Sequence, residues 1–146
     1  MDRTLLEHSW PLWEQPRHFE LGLVLSSAVT DVLQPAVVGD LNLHHVGIWE
    51  CDLSDNSLNW SGGVYDIFGL PRNSRISREK ALALYCEESR TKMERLRSHS
   101  IKHRRGFTLD VEIKTITGER RWMRLVGAPD CTEGRAARLR GLKLII

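Results

Sequence analysis

The sequence predicts an α+β domain: a five-stranded antiparallel sheet with short helices on one face and one further helix ahead of it. Three observations carry that expectation. Phe107, Leu109, Val111 and Ile113 alternate with Thr108, Asp110, Glu112 and Lys114, the period of a half-buried strand. Two more β-rich segments follow, reached through turns at Thr117-Gly118-Glu119 and at Gly134, which makes a three-strand meander. Ahead of the meander the apolar spacing is helical, and ahead of that lie two strand-like segments around Trp49 and Trp60. A sheet interrupted by helices in this order curls around a small pocket.

The elements follow in turn. Residues 1–18 carry Trp10-Pro11, Trp13 and Gln15-Pro16, and prolines so placed exclude a long regular element there. From Phe19 to Leu33 the pattern is that of an amphipathic helix. Leu21, Val24, Leu25, Ala28, Val29, Val32 and Leu33 recur at three- and four-residue spacings until Pro35 stops the run. Gly39 to Asn42 reads as a linker, which divides the chain into an extension (1–42) and a domain (43–146). His45 to Asp52 and Ser57 to Ser61 read as a hairpin turned at Asp55-Asn56. Gly62 to Gly69 is a short helical turn with Val64, Ile67 and Phe68 on one face. Ser77 caps a helix carrying Ala81, Leu82, Leu84 and Tyr85. Arg90 to Arg105 continues helically with Met93, Leu96 and Ser100 inward, and Gly106 is the expected stop. Arg120 to Val126 and Arg138 to Ile146 complete the meander.

Composition excludes several classes of function. At 146 residues the chain is of single-domain size and can bury a core of its own. A net charge of +2 supplies no general attraction to nucleic acid or to a membrane surface. Leu21 to Thr30, the longest uncharged apolar stretch, falls far short of the ~20 residues that a membrane span needs. Cys51, Cys86 and Cys131 form no CxxC pair, and their odd number argues against a disulfide framework; a reducing cytoplasm is the expected location. No phosphate loop, metal quartet or nucleophilic triad is legible, so no catalytic residue is assigned and the chain is not expected to be an enzyme.

GIWECD (47–52), NWS (59–61), IFGLP (67–71), VEIKTITGERRW (111–122) and RLRG (138–141) together resemble the PAS sensory-domain subclass rich in Trp-Ser and Gly-Glu-x-Arg-Trp signatures. The resemblance covers residues 44–146. It implies a signal-sensing or dimerisation module of a bacterial signalling protein, regulating a C-terminal effector such as a histidine kinase or a diguanylate cyclase. The start at Met1 and the end on a strand lead to the expectation of an N-terminal piece of such a protein. Two departures stand out. The subclass usually carries His-Pro-x-Asp-Arg between its helices, where this chain has Cys86-Glu87-Glu88-Ser89-Arg90 and keeps the arginine alone. Its last strand commonly runs on as Asp-Ile-Thr, where this chain has Leu144-Ile145-Ile146.

Candidate site residues follow from these placements. The ligand pocket is expected among Trp60, Phe68 and Tyr85, the helical Met93, Leu96 and His103, and Ile113 and Trp122 of the meander. Trp49 falls with Trp60 and Trp122 at positions typical of the family. His99 and His103, four apart on one helix face, are the candidates for a metal, and that helix resembles the one carrying the haem ligand in haem-binding PAS domains. Against this, seven Lys or Arg between residues 90 and 105 describe a solvated face, and without interleaved aromatics they make no nucleic-acid site. His44-His45, adjacent in a strand, point to opposite faces. Arg72-Asn73-Ser74-Arg75-Ile76 echoes the Asn-Cys-Arg-Phe signature of light-oxygen-voltage (LOV) domains, but Ser74 stands where the flavin-attacking cysteine would be. A LOV-type covalent flavin is therefore excluded; the cofactor is unknown, and three alternatives stay open: an unidentified small-molecule ligand, a haem- or metal-binding sensor, and a ligand-free structural dimerisation module. The wide stripe of Leu21, Val24, Leu25, Ala28 and Val32 is expected at a homodimer interface, with docking on the outer sheet face over Trp122 as the rival.

Overall fold

The structure, a computed structural model, describes residues 7–11 and 46–146. Six strands form one antiparallel sheet: β1 (Glu7–Pro11), β2 (Val46–Asp52), β3 (Ser57–Trp60), β4 (Arg105–Lys114), β5 (Arg120–Thr132) and β6 (Arg135–Ile145). Three helices lie between β3 and β4: α1 (Gly62–Phe68), α2 (Arg78–Ala83) and α3 (Glu87–His103). The strand order across the sheet is β1-β4-β5-β6-β2-β3. The amphipathic helix expected over 19–33, its interface residues Leu21, Val24, Leu25, Ala28 and Val32, the linker and His44-His45 lie outside the described residues.

Local chemistry accounts for the element ends. The β2–β3 turn is held by the Asp52 carboxylate, which accepts from the Ser54 amide at 2.9 Å, and Asn56 takes the left-handed conformation (φ 61°). α1 presses on β2 so closely that a Cβ on Gly63 would lie 1.9 Å from the Val46 carbonyl oxygen. Only glycine permits that contact. Val64, Ile67 and Phe68 are fully buried beneath it. At α2 the Ser77 hydroxyl accepts from the Lys80 amide at 3.2 Å, the expected cap. The helix stops at Ala83, and Tyr85, expected to continue it, forms an isolated antiparallel bridge with Ile113 instead. α3 carries Glu87 and Glu88 in its first turn and Lys102 and His103 in its last, signs that complement the helix dipole. Its stop is not Gly106. Arg104 takes the left-handed conformation (φ 55°), and Gly106 already belongs to β4, because the Ser100 hydroxyl bonds the Arg105 carbonyl and turns the chain two residues earlier.

The meander has the expected register. Phe107 pairs with Gly127 and Lys114 with Arg120, so β4 runs against residues 120–127 through the Thr117-Gly118 turn. Its four alternating residues point to the helical face, each at most 2 % exposed. β5 and β6 extend further than their expected bounds, because Glu133 and Gly134 both adopt positive φ and close a tight hairpin between them. The sheet departs from the expected five strands by one. β1 pairs with β4, Glu7 opposite Leu109 and Pro11 opposite Arg105. The prolines exclude a long element in the extension. A short edge strand accommodates a terminal proline, whose missing donor need not face a neighbour.

The outer face of the sheet carries Val46, Val126, Ala128 and Leu142, all buried, beside a charge pair. Arg124 meets Asp110 directly across β4–β5 with two hydrogen bonds, 2.8 and 3.0 Å. Since Val111 faces the helices with no exposed surface, Val111→Asp is expected to unfold the domain, costing more than about 4 kcal/mol. Loss of the cooperative thermal transition in circular dichroism checks this; an unchanged melting temperature would mean that the strand does not face the core.

Candidate functional site

Between the sheet and helices α2 and α3 lies a cavity of about 50 Å³, room for a few water-sized groups. Trp49, Phe107, Leu125 and Leu139 line its sheet side, Trp60 and Tyr85 its flank, and Met93 of α3 its roof. Leu58, Arg78, Leu82 and Arg97, all half-exposed, complete the lining toward solvent. The cavity is mostly apolar, and three of its lining residues are basic.

Trp49 packs against the sheet where Gly127 has no side chain. Gly127 and Gly141 pair across β5–β6, and Trp49 is itself opposite Gly141. A Cβ on Gly127 would come within 2.7 Å of the indole ring, and one on Gly141 within 1.9 Å of the Val126 carbonyl oxygen. The indole Nε1 donates to the carbonyls of Val126, at 3.1 Å, and Leu142, at 3.3 Å.

Lys143 is the unexpected member of the site. In β6 the residues facing the helices are Leu139, Gly141 and Lys143, so a lysine occupies a core position with 5 % of its surface exposed. Its Nζ lies 5.0 Å from the ring centroids of Trp60 and Phe68 and 5.6 Å from those of Trp49 and Tyr85. It donates to the Tyr85 hydroxyl at 3.2 Å. Among the described residues no carboxylate lies within ion-pair distance of it. Burial favours the neutral amine and brings the Lys143 pKa down to about 7, while the four ring faces favour the cation. Burial also pushes the Tyr85 phenol well above its usual range, so its hydroxyl keeps its proton.

The expected pocket residues divide. Trp60, Tyr85 and Met93 line the cavity, and Phe68 backs it, stacked on Trp60 at 5.0 Å with 11° between the planes. Leu96 is half-buried against the core and Ile113 fully buried in it, but neither lines the cavity. His103 does not line it either. It stands exposed in the last turn of α3, its ring 4.4 Å from that of exposed His99, since the helix has rotated past the inward positions Met93 and Ser100. Trp122 pairs with Glu112 and so lies on the opposite face of the sheet, one step out of phase with buried Met123. No group of three or more potential metal ligands occurs among the described residues. Cys86 caps α3, where burial first and then Glu112 push its thiol up, away from the thiolate that a reactive cysteine needs. Sequence reading missed Lys143, Arg78 and Arg97. The signal for Lys143 was present in the alternation Leu139, Gly141, Lys143, but Leu142 and Leu144 on the alternate phase compete for the same inner face.

The sheet order with three helices inserted after the first hairpin defines the PAS fold. No family model matches the sequence, and no curated protein matches it. Solved structures do. A sensory box histidine kinase/response regulator from Burkholderia thailandensis superposes with a TM-score of 0.64 at 14% identity, over 76% of this chain and 82% of that one. The N-terminal domain of a diguanylate cyclase with PAS/PAC sensor from Marinobacter aquaeolei gives 0.63 at 15% identity, over 68% and 94%. An RNA-binding light-oxygen-voltage receptor gives 0.63 at 13% identity over 69% of this chain, which spans 29% of that receptor's length. At these identities what is shared is the fold.

Trp49→Phe keeps a ring against Gly127 and removes both indole hydrogen bonds, so it is expected to cost about 1–2 kcal/mol. Trp122→Phe, on the other face, is expected to cost less. Urea denaturation midpoints of the two variants compare them directly.

Proposed function

We propose that this chain is a PAS sensor module that takes a small molecule into the cavity beneath α2 and α3 and passes its occupancy to an effector domain elsewhere in the signalling protein. The observation that carries the reading is the buried Lys143 amine, held in an aromatic cavity without a carboxylate partner among the described residues. A core does not retain a polar group so placed without cost, and a cavity with a few convergent polar groups is what ligand recognition requires. Occupancy would alter the packing of α2 and α3 on the sheet and so shift the balance between two arrangements of the module. The reading contains no catalytic step. Solved PAS structures from a histidine kinase and a diguanylate cyclase support that kind of effector.

A LOV-type flavin is not the ligand in this proposal. Ser74 offers no thiol for adduct formation, and a cavity of about 50 Å³ is too small for a flavin ring system. Haem is disfavoured because exposed His103 does not line the cavity. Native mass spectrometry of the purified chain tests the proposal. A retained small molecule that disappears on Tyr85→Trp, which fills the cavity, is the expected result, with no Soret band that depends on His103.

We also propose a homodimer through the apolar stripe of residues 21–32. Light scattering on the full chain decides it. A monomer across a wide concentration range would favour the rival, docking of the stripe on the sheet's outer face over Trp122.

A further inference from the structure

We infer that the ligand of this cavity is a small monocarboxylic acid whose carboxylate is received by Lys143 Nζ and the Tyr85 hydroxyl, with its apolar body against Trp49, Trp60 and Met93. The inference rests on the proposed ligand-binding reading and narrows it to one chemical class.

Three features of the site converge on a carboxylate. The first is charge. Lys143, Arg78 and Arg97 line the cavity, and among the described residues no Asp or Glu does. Arg78 is paired with Glu94, and Arg97 donates to the Asn56 side-chain oxygen at 3.1 Å, so Lys143 alone lacks any such polar anchor apart from Tyr85. A buried ammonium stays charged at low cost only beside an anion, and among the described residues none is supplied. The second is the pair of donors. Lys143 Nζ and Tyr85 Oη lie 3.2 Å apart. The hydroxyl accepts from the amine, and its own proton has no acceptor among the described residues, so it is free to point at a second oxygen. Two adjacent donors suit the two oxygens of one carboxylate. The third is size and polarity. About 50 Å³ with apolar walls admits a short alkyl body and excludes a polyanion.

The groups facing Lys143 define the expected pH dependence. Cys51 approaches from β2, Tyr85 from beyond α2, Arg78 from α2 and Arg97 from α3, with Glu94 of α3 paired to Arg78 and felt at Tyr85; β4 and β5 contribute Phe107 and Leu125, which do not titrate, as do Trp60 of β3 and Phe68 of α1. Tyr85 keeps its proton throughout the neutral range, so the lysine dominates the change. Its pKa in the empty site is about 7. The carboxylate binds the ammonium form and raises that pKa. Affinity should therefore be level below about pH 7 and fall about tenfold per pH unit above it, until the pKa of the complex is reached.

Butyrate and its neutral isostere butyramide are the probes, titrated into the full chain between about pH 6 and pH 9 and followed through tryptophan indole N–H signals by NMR. The expected result is butyrate binding with that pH profile, and butyramide binding at least about tenfold weaker at pH 6. Lys143→Met should lose the pH profile and the preference for the acid. The apolar replacement removes a buried charge, and so is expected to fold. If it does not fold, the wild-type comparison of acid with amide still decides. Equal binding of butyrate and butyramide with no pH profile would overturn the acid while leaving a ligand pocket. Binding of neither, together with a neutral molecule retained in native mass spectrometry, would likewise overturn the acid alone. Binding of neither with nothing retained would overturn both readings.

Discussion

The packing of the Trp49 indole over Gly127, with its two bonds to sheet carbonyls, is the contact on which the rest of the domain depends. Three strands meet there, because β2 supplies the ring, β5 the glycine beneath it, and β5 and β6 one carbonyl each. The ring's Nε1 bonds carbonyls of both β5 and β6, so the closure of β2 onto the meander is fixed by directional bonds as well as by burial. Trp49 thereby forms part of the sheet-side wall of the cavity.

The cavity is the consequence of that geometry. α1 is locked onto β2 by the glycine contact at residue 63, which sets Phe68 beside Trp60 and stacks the two rings. The bridge between Tyr85 and Ile113 ends α2 and turns the Tyr85 ring toward the same space. Arg121 donates to the carbonyls of Asp66 and Ile67 at 2.9 and 2.8 Å, tying the end of α1 to β5. Four aromatic rings are thus brought around one point, and Lys143 occupies it. An ammonium there interacts with ring faces at 5.0–5.6 Å but has lost its water, so its charge is balanced between two opposing effects. Small changes in the occupancy of the site would tip that balance, which is what a sensing pocket needs.

Around this centre the sheet is closed in a graded way. β4 has partners on both sides, β1 and β5, and is buried on both faces along most of its length. Its outer face carries Asp110, whose side chain has no exposed surface and which is answered by Arg124 in register. Buried carboxylates of this kind are tolerated because a bidentate guanidinium supplies both hydrogen bonds. The basic face of α3 turns to solvent, with His99 and His103 exposed on it.

Much of this was legible in the sequence, for a definite reason. The period of two in Phe107 to Ile113, the Ser77 cap, the Gly69 stop of α1 and the Gly118 and Gly134 turns are local rules, each satisfied within a few residues. They determined the order of the elements, the β4–β5 register and the PAS fold class. The extra strand β1 was not legible, since five residues containing a proline carry no periodic signal and gain their structure from the edge of β4. Nor was the site. Alternation says that Leu139, Gly141 and Lys143 share one face of β6 and Leu142 and Leu144 the other, but not which of the two faces meets the helices; hydrophobicity alone would have turned the lysine outward. Tertiary structure decided it: Trp49 packs over Gly127 and stands in register with Gly141, so Gly141 faces the helices and Lys143, two residues further on, enters the aromatic cavity.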